Sequence, residues 1–293
     1  MSEEDKFSQA ETLLSAGNKE EAAEKFLELF NSSSDVVTRL NCGLELNRSL
    51  DPVRDTEQLL VITDETLRLA DRLIDKDIKA IALCYKGLLL IHSKITKIDR
   101  MKRIKLSPDW FEFSLEREKQ EYETLEQELD DMENEATISL QEAEKIADRT
   151  KDTALKATVY SMIGQSFGYR SMEFRYNKIG KSGFRLWLIE KQLEHLLYSR
   201  KDKKSLKTIH KQADKFFLKA IKTAEENNNL PEKGLALYNY ANQLRTMNRY
   251  RKAKKILNLS KEIAIKTSDK YLLNNIDILL ERVKTKKVPQ YKF

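Results

Sequence analysis

The chain has 293 residues, of which 40 % are hydrophobic and 34 % are charged, with 53 Lys and Arg against 47 Asp and Glu. Its 8 Gly and 4 Pro are too few for the many tight turns of a β-sandwich, a barrel or a doubly wound α/β sheet, so we expect long helices. Apolar runs such as Gly87–Ile91 are far shorter than the roughly 20 residues of a membrane-spanning helix, and no membrane span is expected.

The helical periodicity of the first third predicts antiparallel pairs of helices separated by polar turns. Gly17 and Asn18 separate the first pair, and Asp51 and Pro52 lie within the second pair. A fifth helix must end before Pro108, because the residue before a proline disfavours helical angles. The predicted helices are 4–15, 19–30, 35–48, 56–74 and 77–105.

The middle of the chain predicts one long amphipathic helix over 108–149, because no Gly or Pro follows Pro108 in this stretch. Ser107 and Pro108 are typical of an N-cap and a first helical turn. Apolar or small residues recur every seven positions, at Leu115, Tyr122, Leu129, Ala136 and Ala143. We expect this helix to pair with the preceding one, or alternatively to form a coiled-coil contact with another chain.

The last part of the chain predicts six further helices. Its breaks are expected at the Gly180–Gly183 turn, the Lys201–Lys204 run and the Asn227–Pro231 stretch, with short polar joints at Asn248 and Ser268. The predicted helices are 153–177, 184–198, 206–226, 232–247, 251–267 and 270–284. We divide the chain into acidic N-terminal hairpins (1–107), the long acidic helix (108–150) and basic C-terminal hairpins (151–293).

Charge is distributed unevenly between the two halves of the chain. Residues 1–150 carry 21 Lys and Arg against 34 Asp and Glu, a net charge of −13, whereas residues 151–293 carry 32 against 13, a net charge of +19. Ten carboxylates lie between Glu116 and Glu135. This asymmetry favours an acidic partner for the basic half, and it permits self-association of oppositely charged halves.

The helix pairs share a spacing of small and large residues at both ends of the chain. One unit has Leu237, Tyr240, Ala241, Leu244, Tyr250, Ala253, Leu257 and Ser260; the other has Ala10, Leu13, Gly17, Ala22, Phe26 and Leu29. This spacing resembles the tetratricopeptide repeat (TPR), a helix–turn–helix unit. The resemblance implies an all-α, antiparallel helix-hairpin solenoid with one long helix in the middle and a concave groove lined by the first helix of each unit.

The resemblance also implies a peptide-binding groove. In tetratricopeptide proteins, Asn, Lys and Arg on the first helices often hold an extended peptide. The corresponding residues of this chain are Asn239, Asn242, Arg245, Gln165, Tyr169 and Arg170. Amide groups can bond an extended backbone and Arg can bind a carboxylate, although the same residues are equally consistent with ordinary polar surface.

A second candidate surface is a lysine ridge within the predicted helix 206–226 and the residues before it. The ridge lies opposite an apolar face, and it consists of Lys204, Lys207, Lys211, Lys215, Lys219 and Lys222. A merely solvated helix face is the ordinary interpretation, whereas an anionic partner is the functional one. The rings and cations from Tyr169 to Lys222 also suggest an alternative function in single-stranded nucleic-acid binding.

No pattern in the sequence indicates catalysis or a cofactor. His92, His195 and His210 lack ligand partners at helical spacing, and Cys42 and Cys84 lie in apolar helical patterns that favour buried, reduced thiols. The sequence Met1–Asp5, with its three carboxylates, has neither the basic region nor the apolar region of a secretory signal, so we expect a cytoplasmic protein. The sequence therefore predicts a noncatalytic scaffold that binds a protein or peptide, without metal or cofactor.

Overall fold

The computed structural model describes residues 2–52, 54–105, 116–197 and 199–285, without the side chains of 99, 102–105, 116–119 and 176–197. These residues form helices and no strand, which confirms the predicted all-α class. The helices are α1 (Glu3–Ser15), α2 (Lys19–Ser32), α3 (Val36–Ser49), α4 (Thr56–Leu73), α5 (Lys76–Lys105), α6 (Glu116–Arg149), α7 (Thr153–Leu197), α8 (Arg200–Glu226), α9 (Leu230–Thr246), α10 (Tyr250–Lys266) and α11 (Lys270–Lys284).

The packing order is regular along the chain. Each helix packs against the next one in sequence, and each odd-numbered helix also packs against the following odd-numbered helix. The odd-numbered helices α1, α3, α5, α7, α9 and α11 therefore form one continuous layer of neighbours. Three main groups of buried side chains join α1–α4, α5–α9 and α8–α11 in turn.

Local sequence explains how the helices begin and end. Ser2 and Ser199 start α1 and α8 with capping boxes completed by Asp5 and Asp202, which satisfy backbone N–H groups of the first turn. Gly17 ends the α1 segment with a φ of 90°, a left-handed angle that glycine adopts without a steric penalty. The turn predicted at Gly17 and Asn18 is thus confirmed.

Close helix contacts depend on residues without bulky side chains. Gly164 of α7 lies against the ring of Phe217 of α8, and a Cβ at this position would be 2.9 Å from the ring. Phe217 is fully buried and stacks on Tyr240 of α9 with ring centroids 5.1 Å apart. Glycine at position 164 therefore lets α7 and α8 approach each other closely.

Two predicted breaks are wrong. The turn at Gly180–Gly183 is absent, because α7 runs without interruption from Thr153 to Leu197. Glycine costs only about 1 kcal/mol in a helix interior, and α7 packs against α8 in a way that can offset this cost. The interruption at Lys201–Lys204 is also absent, since the Ser199 capping box starts α8 at Arg200.

The long middle helix is confirmed as far as the structure describes it. α6 covers Glu116–Arg149, while the predicted start at Ser107 and Pro108 lies outside the described residues. α6 packs against α5 within the same chain, which agrees with the antiparallel pairing that we expected. Among the described helices, none is both long and apolar enough to cross a membrane.

Candidate binding surface

A cleft of about 250 Å³ lies where the first and last helices approach each other. Its walls come from α1, α3 and α11, although α1 and α11 lie at opposite ends of the described chain. The lining residues are Glu11, Leu14, Ser15, Glu45, Arg48 and Tyr271. Tyr271 is 54 % exposed, so its ring is available to a molecule that enters this cleft.

Arg48 is fixed on one side of the cleft by its own helix. Its Nη1 donates to both carboxylate oxygens of Glu45, at 2.7 and 3.0 Å. Burial lowers the pKa of Arg48, but the Glu45 carboxylate and the nearby hydroxyls of Tyr85 and Tyr271 outweigh this effect and raise the pKa overall. Arg48 therefore remains a permanent cation beside two tyrosines from different helices.

The residues predicted on α9 lie on the layer of odd-numbered helices, but they already make internal contacts. Asn239 donates to Ser161 Oγ of α7 at 3.2 Å. Arg245 is only 4 % exposed and donates from Nη2 to Asn242 Oδ1 at 3.0 Å. Burial raises the pKa of Tyr238 on the same helix, and the nearby Arg245 guanidinium opposes this effect. The structure thus brings Asn242 and Arg245 together.

The residues predicted on α7 are directed to other helices. The ring of Tyr169 packs on His92 of α5, with centroids 4.1 Å apart. Arg170 forms an ion pair with Glu133 of α6 at 2.8 Å and donates to Thr137 at 3.0 Å. Gln165 is half-buried on α7. Tyr169 and Arg170 therefore connect α7 to α5 and α6 rather than joining the α9 residues in one cluster.

The lysine ridge lies on the outer side of α8, and most of it is exposed. The exposed members are Lys204, Lys207, Lys211, Lys215 and Lys222. Lys219 differs, because it is half-buried, pairs with Asp148 of α6 at 2.9 Å and lies over the Tyr160 ring at 3.9 Å. Lys222 pairs with Glu226 at 3.4 Å. One predicted ridge member is therefore partly structural.

Five carboxylates of α6 form ion pairs with basic side chains of α5. The partners run in opposite directions along the two helices, as expected for an antiparallel pair. They are Lys79–Glu142, Lys86–Glu135, Lys94–Glu133, Lys97–Glu128 and Arg100–Glu121. The charge asymmetry of the sequence suggests that these carboxylates influence partner choice, but basic residues of the same chain neutralise several of them.

A buried charged cluster forms where α5, α6 and α7 meet. Lys94 binds Glu133 of α6 and Glu173 of α7, the latter at 3.0 Å. Burial raises the pKa of Glu173, and the Lys94 ammonium opposes this effect only in part. Burial also acts to raise the pKa of Glu133, but Lys94 and Arg170 outweigh it and lower the pKa overall. The cluster therefore holds these helices together through charge.

The side chains considered for metal or nucleophilic chemistry are mostly buried. Cys42 and Cys84 are buried free thiols, as predicted, and burial raises the pKa of Cys42 to about 12. Burial lowers the pKa of both His92 and His210 to about 4. Within the described part of the chain, no group of three His, Cys, Asp or Glu could hold a metal ion. His195 lies outside the described side chains, as do the rings and cations from Tyr176 to Trp187.

The residues of the cleft were missed by sequence analysis. Glu45 and Arg48 form an ordinary i,i+3 pair on a helix, and Tyr271 begins a terminal helix, so neither is distinctive in the sequence. Only the approach of α1 and α3 to α11 brings these residues together. No protein-family model matches the chain, and no curated protein matches its sequence.

Proposed function

We propose that this chain is a noncatalytic, TPR-like scaffold that binds an extended segment of a partner protein along its odd-numbered helices. The observation that carries this proposal is the cleft between α1, α3 and α11, in which Arg48 and a half-exposed Tyr271 face a common space. A volume of about 250 Å³ suits one or two peptide side chains, whereas sites for complete small ligands usually measure about 300–1,000 Å³.

The chemistry of the layer favours a peptide over a small apolar ligand. Asn242 is half-buried beside Arg245, which donates to its Oδ1 from both Nε and Nη2, so the side-chain NH2 of Asn242 is the group that can donate to the carbonyl of a peptide unit. α9 packs against α11, the helix that carries Tyr271. A segment that crosses from α9 to the cleft would thus meet backbone-binding groups first and a side-chain pocket second.

The lysine ridge supports the further expectation that part of the partner is acidic. Lys204, Lys207, Lys211 and Lys215 are all exposed and recur every three or four residues, so they share one face of α8 over about 17 Å. Like charges at this spacing repel one another by a few tenths of a kcal/mol per pair. An acidic segment bound along α8 would remove this repulsion.

Peptide selection on the full-length chain tests the proposal. Random heptapeptides displayed on phage would be selected, and the affinity of each binder measured by fluorescence anisotropy. We expect Tyr271→Ala and Asn242→Ala to weaken binding at least tenfold, while Leu259→Ala, which removes an exposed side chain of α10, leaves it unchanged. Failure to select any peptide that depends on Tyr271 or Asn242 would contradict the proposed function.

Nucleic-acid binding remains the alternative, and the exposed lysines of α8 favour it. Tyr169 and Arg170, which were expected to stack and pair with a strand, already contact His92 and Glu133. Titration with random single-stranded oligonucleotides separates the two functions, because phosphate contacts weaken steeply as salt rises. Binding at about 50 mM salt that Lys207→Glu abolishes and Tyr271→Ala does not would support the alternative.

A further inference from the structure

The cleft between α1, α3 and α11 carries an excess of negative charge. Glu45 is neutralised by its two hydrogen bonds from Arg48. Glu11 is exposed, and its carboxylate forms no ion pair or hydrogen bond with any other residue that the structure describes. The three charged lining residues therefore leave one net negative charge, at Glu11, in a space large enough for a side chain.

The remaining walls of the cleft are largely apolar. Leu14 contributes an aliphatic surface from α1, and Tyr271 contributes an aromatic ring from α11. Long basic side chains place their methylene groups on apolar surface while the charged end stays polar. Aromatic rings also attract cations through their negative faces. This combination of one free carboxylate, an aliphatic wall and a ring is complementary to lysine or arginine.

We propose that the cleft binds one lysine or arginine side chain of the partner segment, with its charged end at Glu11 and its stem against Leu14 and Tyr271. This proposal rests on the proposed function, and it specifies the residue that anchors the segment. An aspartate or glutamate would instead be repelled by Glu11. The cleft and the lysine ridge thus select opposite charges, so a partner that uses both is acidic along α8 and basic at the cleft.

The same random heptapeptide library, displayed on phage, tests this inference separately from the proposed function. The peptides would be sorted by whether they lose binding to Tyr271→Ala. Enrichment of Lys and Arg among the Tyr271-dependent peptides supports the inference. Tyr271-dependent peptides without this enrichment, or with acidic residues in their place, overturn the inference but leave the function standing. If no peptide depends on Tyr271 or Asn242, both proposals fail.

A double-mutant cycle then locates the basic residue. The enriched Lys of one selected peptide would be replaced by norleucine, which keeps the methylene stem and removes the charge. We expect about a fivefold loss of affinity for the wild-type chain, as for a partly exposed ion pair, and none for Glu11→Gln. Glu24→Gln, which removes an exposed carboxylate of α2 outside the cleft, is the matched control and should keep the fivefold difference. An equal norleucine effect in wild type and Glu11→Gln would overturn the inference.

Two other occupants of the cleft are distinguished by the same peptide. Tighter peptide binding after deletion of residues 286–293, which include three lysines, would assign the cleft to the chain itself and contradict the partner claim. Dimers in sedimentation that the peptide dissociates would assign it to a second copy, with the same consequence. Unchanged affinity and a monomer at working concentration support a separate partner.

Discussion

Removal of Lys94 is expected to destabilise the junction of α5, α6 and α7 through charge rather than through loss of packing. Lys94→Met keeps most of the aliphatic side chain but removes the ammonium group that binds Glu133 and Glu173. Glu133 keeps its ion pair with Arg170 at 2.8 Å, so it stays compensated. Glu173, with a side chain only 13 % exposed, loses its ion-pair partner in the described part of the chain.

The magnitude follows from the burial of this one carboxylate. Breaking a buried pair by removing one partner costs about 3–5 kcal/mol, and we expect about 3 kcal/mol because Glu173 loses its ion pair and keeps only the weaker influence of the Arg170 guanidinium. Lys97→Met is the matched control, because the side chains of Lys97 and Glu128 are 34 % and 43 % exposed. Exposed ion pairs of this kind contribute at most about 1 kcal/mol to the free energy of unfolding.

The loss in Lys94→Met should also depend on pH. The folded-state pKa of Glu173 is raised by burial, and loss of the ammonium raises it further. A carboxyl with a raised folded pKa stabilises the protein below its unfolded pKa, near 4.3, and that contribution is lost as pH rises through the folded pKa. The variant should therefore be less destabilised at pH 5 than at pH 8.

Urea unfolding followed by circular dichroism at pH 5 and pH 8 measures this effect. Adding Glu173→Gln to Lys94→Met should recover about 2 kcal/mol at pH 8, because an amide carries no charge to compensate. A loss below about 1 kcal/mol at pH 8, or an equal loss at both pH values, would refute the argument that an uncompensated Glu173 is the cause.

Three further predictions concern single positions. Burial lowers the pKa of His92 to about 4, so the contribution of its neutral ring to stability is lost as the pH falls from about 6.5 to 4. In urea unfolding over this range, the free energy of unfolding of wild type should fall by about 3 kcal/mol more than that of His92→Phe. Gly164→Ala places a Cβ 2.9 Å from the Phe217 ring and should lower the free energy of unfolding in urea by about 1–3 kcal/mol; no loss would contradict the close approach of α7 and α8 at this position. Ile74 is 78 % exposed with a φ of 57°, so Ile74→Gly should raise the free energy of unfolding by about 1 kcal/mol; no gain would show that this backbone angle is not strained.

The helical periodicity of the sequence predicted most helix boundaries correctly. Apolar residues three and four positions apart define one buried face whatever that face packs against, and this is why α1 to α4 begin and end close to the predicted residues. The turn predicted at Gly180–Gly183 was wrong because a local signal was given too much weight. A glycine lowers helix stability only slightly, and the packing of α7 against α8 can offset this local preference.

The sequence by itself determined the all-α class, the buried cysteines and the lysine face of α8, because each depends on residue types repeated along a single helix. The tertiary structure decided which charges compensate one another and where a ligand can enter. The carboxylates of α6 find their partners on α5, and Glu11, Arg48 and Tyr271 meet only because helices far apart in the chain approach each other. Such contacts depend on the relative positions and angles of all the helices that lie between them in the chain, and the spacing of residues within one helix does not specify these.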